Sequence, residues 1–220
     1  MRKVYILSLL IVLTSLMTSL YFYPIMPDEL ASHWNAQGEV DGYMSKFWGL
    51  FLMPIVSVAL MTMFVIIPKI DPLKKNIKKF RSYFDIFALV TIVFMFYIYL
   101  LTIIWNLGIR FDMSQLIIPP IGLLLFCAGV LTEKSEMNWF IGIKTPWTLS
   151  DERVWKKTNK LGGKIFKVSG IIATISILIP VYSIFLVLLP IIVGSIYLVL
   201  YSYFQYIRLN RGNMKRRRNN

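Results

Sequence analysis

His33, Cys127 and eleven carboxylates are the main stock of acid–base, nucleophilic and metal-binding side chains in this 220-residue chain. A helical zinc site of the His-Glu-x-x-His kind needs two histidines, and His33 stands alone. A Ser–His or Cys–His couple would have to borrow the same ring. Asp28, Glu29, His33 and Asp41 cluster in one segment, yet a single histidine among ordinary acids is a poor metal donor set. No glycine-rich phosphate loop occurs. Cys127 lies in an apolar run with nothing near it to depress a thiol pKa, and reads as a small filler. The residues therefore predict no enzyme, no catalytic group, no metal and no cofactor.

Two polar segments hold the remaining chemistry. Residues 24–46 carry Asp28, Glu29, Glu39 and Asp41 against Lys46, the one clearly acidic stretch. Its candidate binding residues are Pro27, His33, Trp34, Asn35, Gly38 and Asp41. Pro27 predicts the start of a short helix running towards Trp34, and Gly38 and Asp41-Gly42 predict turns. Trp34 and Tyr43 suit the headgroup level of a bilayer.

The second segment, residues 133–164, is basic. Its candidates are Asn138, Gly142, Lys144, Thr145, Pro146, Trp147, Thr148, Trp155, Asn159 and Gly162. Thr145-Pro146-Trp147-Thr148 should be extended, because the residue before a proline avoids the helical region. Ser150 reads as a helix N-cap, with Asp151 and Glu152 in the first turn and Gly162 as the stop. Val154, Trp155, Thr158 and Leu161 would share one face, and Arg153, Lys156, Lys157 and Lys160 the rest. That pattern predicts a short amphipathic interfacial helix.

Both segments must be held by the elements around them, and those are apolar. The chain is 57% hydrophobic and 16% charged, against about 45–50% and 25% in soluble domains. Apolar runs cover Val4–Tyr23, Phe47–Pro68, Phe84–Trp105 and about Met113–Thr132. The first lacks the small-residue site that ends a cleaved signal peptide, so it reads as a retained span. A further run, Ile165–Ile207, is 43 residues long, enough for two crossings of about 20 residues each with a turn near Pro180–Ser183.

The cations settle the count. Of 24 Lys and Arg, 22 fall at the N-terminus, between spans two and three, between spans four and five, and in the tail; only Lys46 and Arg110 fall elsewhere. By the positive-inside rule this gives an all-α protein of the cell membrane with six spans and both termini cytoplasmic. The net charge of +13 is a topology signal with lipid headgroups as partners, and no direct nucleic-acid binding is expected. The basic tail Lys215–Arg218 reads as a headgroup anchor. Asp85 and Lys167 sit at the edges of spans and none sits mid-span, which weakens a proton-coupled transporter. Ser15/Ser19, Ser169/Ala173 and Gly170/Thr174 read as helix-packing pairs, and Pro54, Pro119, Pro120 and Pro190 as local bends. The chain divides into residues 1–110, with spans one to three and the acidic loop, and 111–220, with spans four to six, the long basic loop and the tail.

The run from Asn138 to Gly163, with Gly142-Ile143-Lys144-Thr145-Pro146-Trp147-Thr148 and later Trp155, Asn159 and Gly162-Gly163, resembles the signature of the SdpI/YfhL family of integral membrane proteins. Other members commonly have Arg at the place of Lys144. The segment from Tyr23-Pro24 through Pro27, His33-Trp34-Asn35, Gly38 and Asp41-Gly42 is similar to a small domain of unknown function that often precedes that signature. The resemblance implies immunity to a secreted, membrane-active peptide toxin, together with capture of a cytoplasmic repressor as a signal. Two alternatives stay open on the residues: a small transporter or channel, and a membrane receptor for a cytoplasmic regulator without an immunity role.

Overall fold

The computed structural model describes residues 3–35 and 37–218, with side chains as far as residue 211; the side chains of the basic tail lie outside the described residues. The chain runs α1 (Lys3–Phe22), β1 (Glu29–Trp34), β2 (Val40–Ser45), α2 (Lys46–Ile70), α3 (Lys74–Lys79), α4 (Arg81–Asn106), α5 (Met113–Lys134), α6 (Pro146–Ser150), α7 (Glu152–Ile175) and α8 (Ser183–Arg218). Among the described residues six helices are long and apolar enough to cross a membrane. They are α1, α2, α4, α5, α7 and α8, in the places the apolar runs predict. The division of the long C-terminal run also holds, since two short 3-10 turns, Ser176–Leu178 and Pro180–Tyr182, separate α7 from α8.

Three prolines decide how the first helices meet. A proline inside a helix has no N–H for the carbonyl four residues earlier, and in hydrocarbon that carbonyl needs another donor. Pro54 frees the carbonyl of Leu50, and Ser19 Oγ on α1 donates to it at 2.7 Å. Pro120 frees Leu116, and Tyr97 on α4 donates to it at 3.1 Å. Pro68 frees Phe64, whose carbonyl lies 3.3 Å from the Tyr5 hydroxyl. The sequence predicts local bends at Pro54 and Pro120; in the structure the carbonyls that these prolines free accept hydrogen bonds from neighbouring helices. Ser19 also shares a 2.7 Å hydrogen bond with the Tyr99 hydroxyl, joining α1, α2 and α4 at one buried point.

Tyr5 belongs to a second buried polar knot. Asp85, near the start of α4, accepts from Tyr5 at 2.9 Å and from Arg81 Nε at 2.6 Å, while Arg81 also donates to the Tyr5 oxygen. Lys167 of α7 pairs with Glu133 of α5. Such pairing is what lets charge sit on a spanning helix.

The second half is held differently. An ideal Cβ placed on Gly122 would lie 2.6 Å from the Gly170 carbonyl, and one on Gly170 would lie 2.5 Å from that of Gly122. Gly129 and Gly163 repeat the arrangement, at 2.7 and 2.6 Å. Backbone therefore meets backbone along α5 and α7, the close approach that small residues permit in membranes. The Gly170/Thr174 pair takes part as expected, whereas Gly122, Gly129 and Gly163 go unmarked in the sequence reading.

Two local expectations fail. The segment after Pro27 is a strand: β1 pairs antiparallel with β2, from Glu29↔Ser45 to Trp34↔Val40, with a bulge around His33. The deciding contact is non-local, because Asn106 at the end of α4 accepts from Ala31 N at 2.8 Å and donates to Ala31 O at 3.0 Å, acting as a further strand edge. The turn lies at Asn35–Gly38, where Asn35 Oδ1 accepts from the N–H groups of Gln37 and Glu39 and Gly38 takes a φ of 80°. Gly42 makes no turn; it sits in β2, where a Cβ would come 3.0 Å from that of His33.

The amphipathic run after Ser150 is the second correction. It is the first part of the 24-residue α7 rather than a separate helix, its N-cap is Asp151, and Gly162 lies inside it. The short element between spans four and five is α6 instead. Gly162 is a packing residue: a Cβ there would fall 1.9 Å from Ile143 Cδ1.

Ser19→Ala should lower stability in detergent by about 1–2 kcal/mol, the usual consequence of leaving a buried acceptor unpaired. In a Pro54→Ala background, where residue 54 regains an N–H for Leu50, the same change should matter markedly less. Equal losses in the two backgrounds, read by thermal unfolding, would show that the hydroxyl and the proline are not coupled.

Candidate functional site

The predicted site residues gather at the two ends of α5, which spans 22 residues or about 33 Å at 1.5 Å per residue. At its start lies the hairpin, tied down where Ser114 Oγ donates to Asn35 O at 3.4 Å. At its finish lies the loop 135–145 that leads into α6 and α7.

That loop is built from the inside. Asn138 is fully buried, and its Oδ1 accepts from Phe140 N at 2.9 Å and Ile141 N at 2.6 Å while its Nδ2 donates to Glu136 O and Ile141 O. Asn159, one turn after Trp155 on α7, accepts from Ile143 N at 2.7 Å. Trp155 is fully buried and donates from Nε1 to Ser135 O at 3.0 Å. Gly142 takes a φ of 106° against this wall, with room for no side chain because a Cβ would lie 2.5 Å from Asn159 Oδ1.

Thr145 is extended, as its place before Pro146 predicts, but the expected extended run ends there: Pro146–Ser150 is the helix α6, whose first turn Thr145 and Thr148 cap reciprocally. Thr145 Oγ1 also donates to Ser202 Oγ on α8 at 3.0 Å. Trp147 is half-buried, edge-on to Tyr203 at 5.1 Å. Seven of the ten predicted residues (Asn138, Gly142, Thr145, Thr148, Trp155, Asn159 and Gly162) thus make one hydrogen-bonded, close-packed knot. Lys144 and Pro146 are exposed.

The sequence reading missed what the knot holds up and what ties it down. Trp139 is 54% and Phe140 39% exposed, and Lys144 Nζ caps their carbonyls at 3.3 and 3.0 Å. Asp71, only 1% exposed, accepts from Leu73 N at 2.6 Å and from Trp139 N at 2.9 Å. Asn76 of α3 donates to Met137 O at 2.8 Å. The local signal for Asp71 was its place between a helix end and Pro72, a turn-forming position; its second contact is legible only in three dimensions.

At the hairpin end, His33 Nδ1 and Asp41 Oδ1 are 2.5 Å apart on the surface, and Asp28 pairs with Lys46 at 3.0 Å. Pro27 is exposed at the entry to β1. Trp34 packs edge-on against Trp105 at 5.4 Å. The possible donor set Asp28, Glu29, His33 and Asp41 is not gathered: among the described residues no three His, Cys, Asp or Glu side chains come close enough to hold a metal.

Residues 134–203 match the SdpI/YfhL protein family, and residues 10–58 match a domain of unknown function (DUF1648). An immunity protein, SdpI, of Bacillus subtilis strain 168 is 28% identical over 206 residues, which cover 93% of this chain and 97% of that protein. No solved structure matches the chain. The SdpI/YfhL match contains the whole knot around Asn138, Trp155 and Asn159, and the other match contains the hairpin. With six spanning helices, this is a multi-pass protein of the cell membrane.

The cap of α7 is open to a pH test. Arg153 beside Asp151, with backbone and Asn210 hydrogen bonds adding to it, holds the Asp151 carboxyl well below the usual carboxylate range. A depressed folded pKa stabilises above the unfolded value of about 3.9 and is lost as pH falls through the folded one. Asp151→Ala should therefore lower stability by about 1 kcal/mol, equally at pH 7 and pH 5, with the gap to wild type closing below about pH 4. Thermal unfolding of the two proteins across that range reads it. A gap that stays constant down to pH 2 would show that the charge on Asp151 contributes nothing.

Proposed function

We propose that the chain is a non-enzymatic immunity protein that protects its cell from a secreted, membrane-active peptide, with the hairpin facing outwards and the basic knot facing the cytoplasm. The observation that carries this reading is the likeness to the Bacillus subtilis immunity protein along 93% of the chain, a stretch that takes in the hairpin and the knot rather than one module alone. The cation distribution supports this orientation. The acidic hairpin would then meet the peptide first, and it suits a cationic one.

A second role, retention of a cytoplasmic repressor, is favoured by the exposed Trp139–Phe140 pair. Two large apolar side chains held out by a rigid loop are what a docking partner needs. Trp155 has no part in such a contact, being fully buried; the surface residues are Trp139, Phe140, Lys144 and, at its edge, Trp147.

Complementation tests the immunity reading. Bacillus subtilis lacking its own SdpI, made to express this chain and grown beside the intact strain, should survive as well as cells given back the native gene. Killing as severe as in the empty-vector control, with the protein present in the membrane, would sink the reading for that peptide. For the second role, Trp139→Ala with Phe140→Ala should abolish co-purification of the regulator while leaving survival intact.

A further inference from the structure

Beside the seam between α5 and α7 lies an apolar crevice of about 550 Å³. Gly122 and Gly170 sit at its base, with Leu123 and Phe126 of α5 on one wall and Ile171 and Ile175 of α7 on the other. All four wall side chains are exposed, and at this level of two spanning helices the outside of the bundle is hydrocarbon. The lining holds one hydroxyl, and it is already used: Thr174 Oγ1 donates to Gly170 O at 3.0 Å. Such a space takes hydrocarbon.

Cations stand over the same face. Lys134 follows Leu123 by eleven residues on α5, and Lys164 precedes Ile175 by eleven on α7, which is three turns in each case. Both lysines therefore sit on the crevice's side of the seam, about 17 Å along it at 1.5 Å per residue. Val130 and Val168, one turn in from them, continue the apolar strip between. Lys160 stands one turn beyond Lys164, and all three lysines are exposed. Lys134 Nζ lies over the Tyr83 ring at 6.0 Å, a contact that uses none of its three N–H donors. Glu133, within electrostatic reach of Lys134 and Lys164, is taken by Lys167. Lys134, Lys160 and Lys164 form no ion pair among the described residues, so this end of the seam carries uncompensated positive charge.

The geometry points to a site for one anionic phospholipid, its phosphate between Lys134 and Lys164 and one acyl chain lying along the seam with its end in the crevice. Length and charge select this occupant. The span of about 17 Å from lysines to crevice matches one leaflet's share, about 15 Å, of the hydrocarbon core. The lysines call for a net negative headgroup, and basic pockets between spanning helices hold such headgroups. A zwitterionic lipid brings a cation of its own to lysines already in excess. A second copy of the chain, seated on this face in the same membrane orientation, would set its own three lysines against these. The site needs no peptide partner, so it stands apart from the immunity reading.

The test uses the full chain in neutral detergent, with bound lipids counted by native mass spectrometry. The probes are phosphatidylglycerol and phosphatidylcholine with 16-carbon chains, each added at rising concentration. One phosphatidylglycerol should saturate first, about thirtyfold tighter than phosphatidylcholine, and Lys134→Gln with Lys164→Gln should remove that preference. Lys75→Gln with Lys78→Gln, on exposed lysines of α3 near the same end of the bundle, should leave it unchanged. Ile171→Trp, which fills the crevice from its exposed wall, should weaken phosphatidylglycerol about tenfold. The same variant should bind dihexanoyl phosphatidylglycerol, whose chains stop short of the crevice, as the wild type does. Glycerol 3-phosphate, the headgroup charge without chains, should not bind. If Ile171→Trp does not fold, as judged by helical circular dichroism and gel filtration, Leu123→Trp fills the same space from the α5 wall.

Equal retention of the two lipids by the wild type, or a preference that survives loss of both seam lysines, overturns the proposal. So does a preference lost equally on changing Lys75 and Lys78, since diffuse surface charge would then suffice. Wild-type affinity for the 16-carbon lipid in the filled variant overturns the placement of the acyl chain. Glycerol 3-phosphate bound as tightly as the lipid would assign the lysines to a soluble phosphate instead.

Discussion

A helix in hydrocarbon has to find a donor for every carbonyl that a proline orphans, and this requirement sets how the first four spans fit together. Leu50, Phe64 and Leu116 each lie four residues before a proline, and each has a hydroxyl from another helix within reach: Ser19, Tyr5 and Tyr97. At Leu50, where the bond is buried, solvent cannot replace the hydroxyl. These bonds fix both the rotation and the depth of α1 against α2 and of α4 against α5. A helix turned by one residue would carry its hydroxyl about 100° away from the carbonyl it serves.

The two halves of the molecule use opposite devices. Around α1, α2 and α4, large rings and polar contacts fill the space, with Tyr99, Phe80 and Phe84 almost wholly buried. Between α5 and α7 glycine meets backbone at two levels, with Thr174 and the Lys167–Glu133 pair beside them, so those helices approach closely. The seam still leaves a crevice of about 550 Å³ beside Gly122, Gly170 and Thr174, and a second opening lies under the hairpin where the two halves meet.

The spans, their number and the turn at Pro180–Tyr182 were legible in the sequence because hydropathy and the placement of Lys and Arg act over whole segments and tolerate local error. What escaped was decided at a distance. Pro27 carries a fair helix-start signal, but Asn106, far along the chain, offers Ala31 a strand edge and wins. Gly162 reads as a helix stop until Ile143 is seen pressed against it. Trp155 reads as an interfacial anchor because its neighbours are cationic, yet the face it shares with Val154, Thr158 and Asn159 turns inwards on the loop. Each miss is a residue whose local chemistry permits two outcomes and whose partner lies on another helix.

This has a consequence for what a signature of this kind means. Asn138, Gly142, Thr148, Trp155 and Asn159 are chemically distinctive and closely spaced, the pattern one would assign to a contact surface. Their polar atoms are instead consumed internally, on Ile141, Ile143, Ser135 and one another. A motif that exhausts its own hydrogen bonds has little left to offer a partner, so it specifies a shape. The groups free to meet something else are the ones the knot displays, Trp139 and Phe140. On the proposed reading, recognition in this chain belongs to residues next to its most recognisable ones, held in place by them.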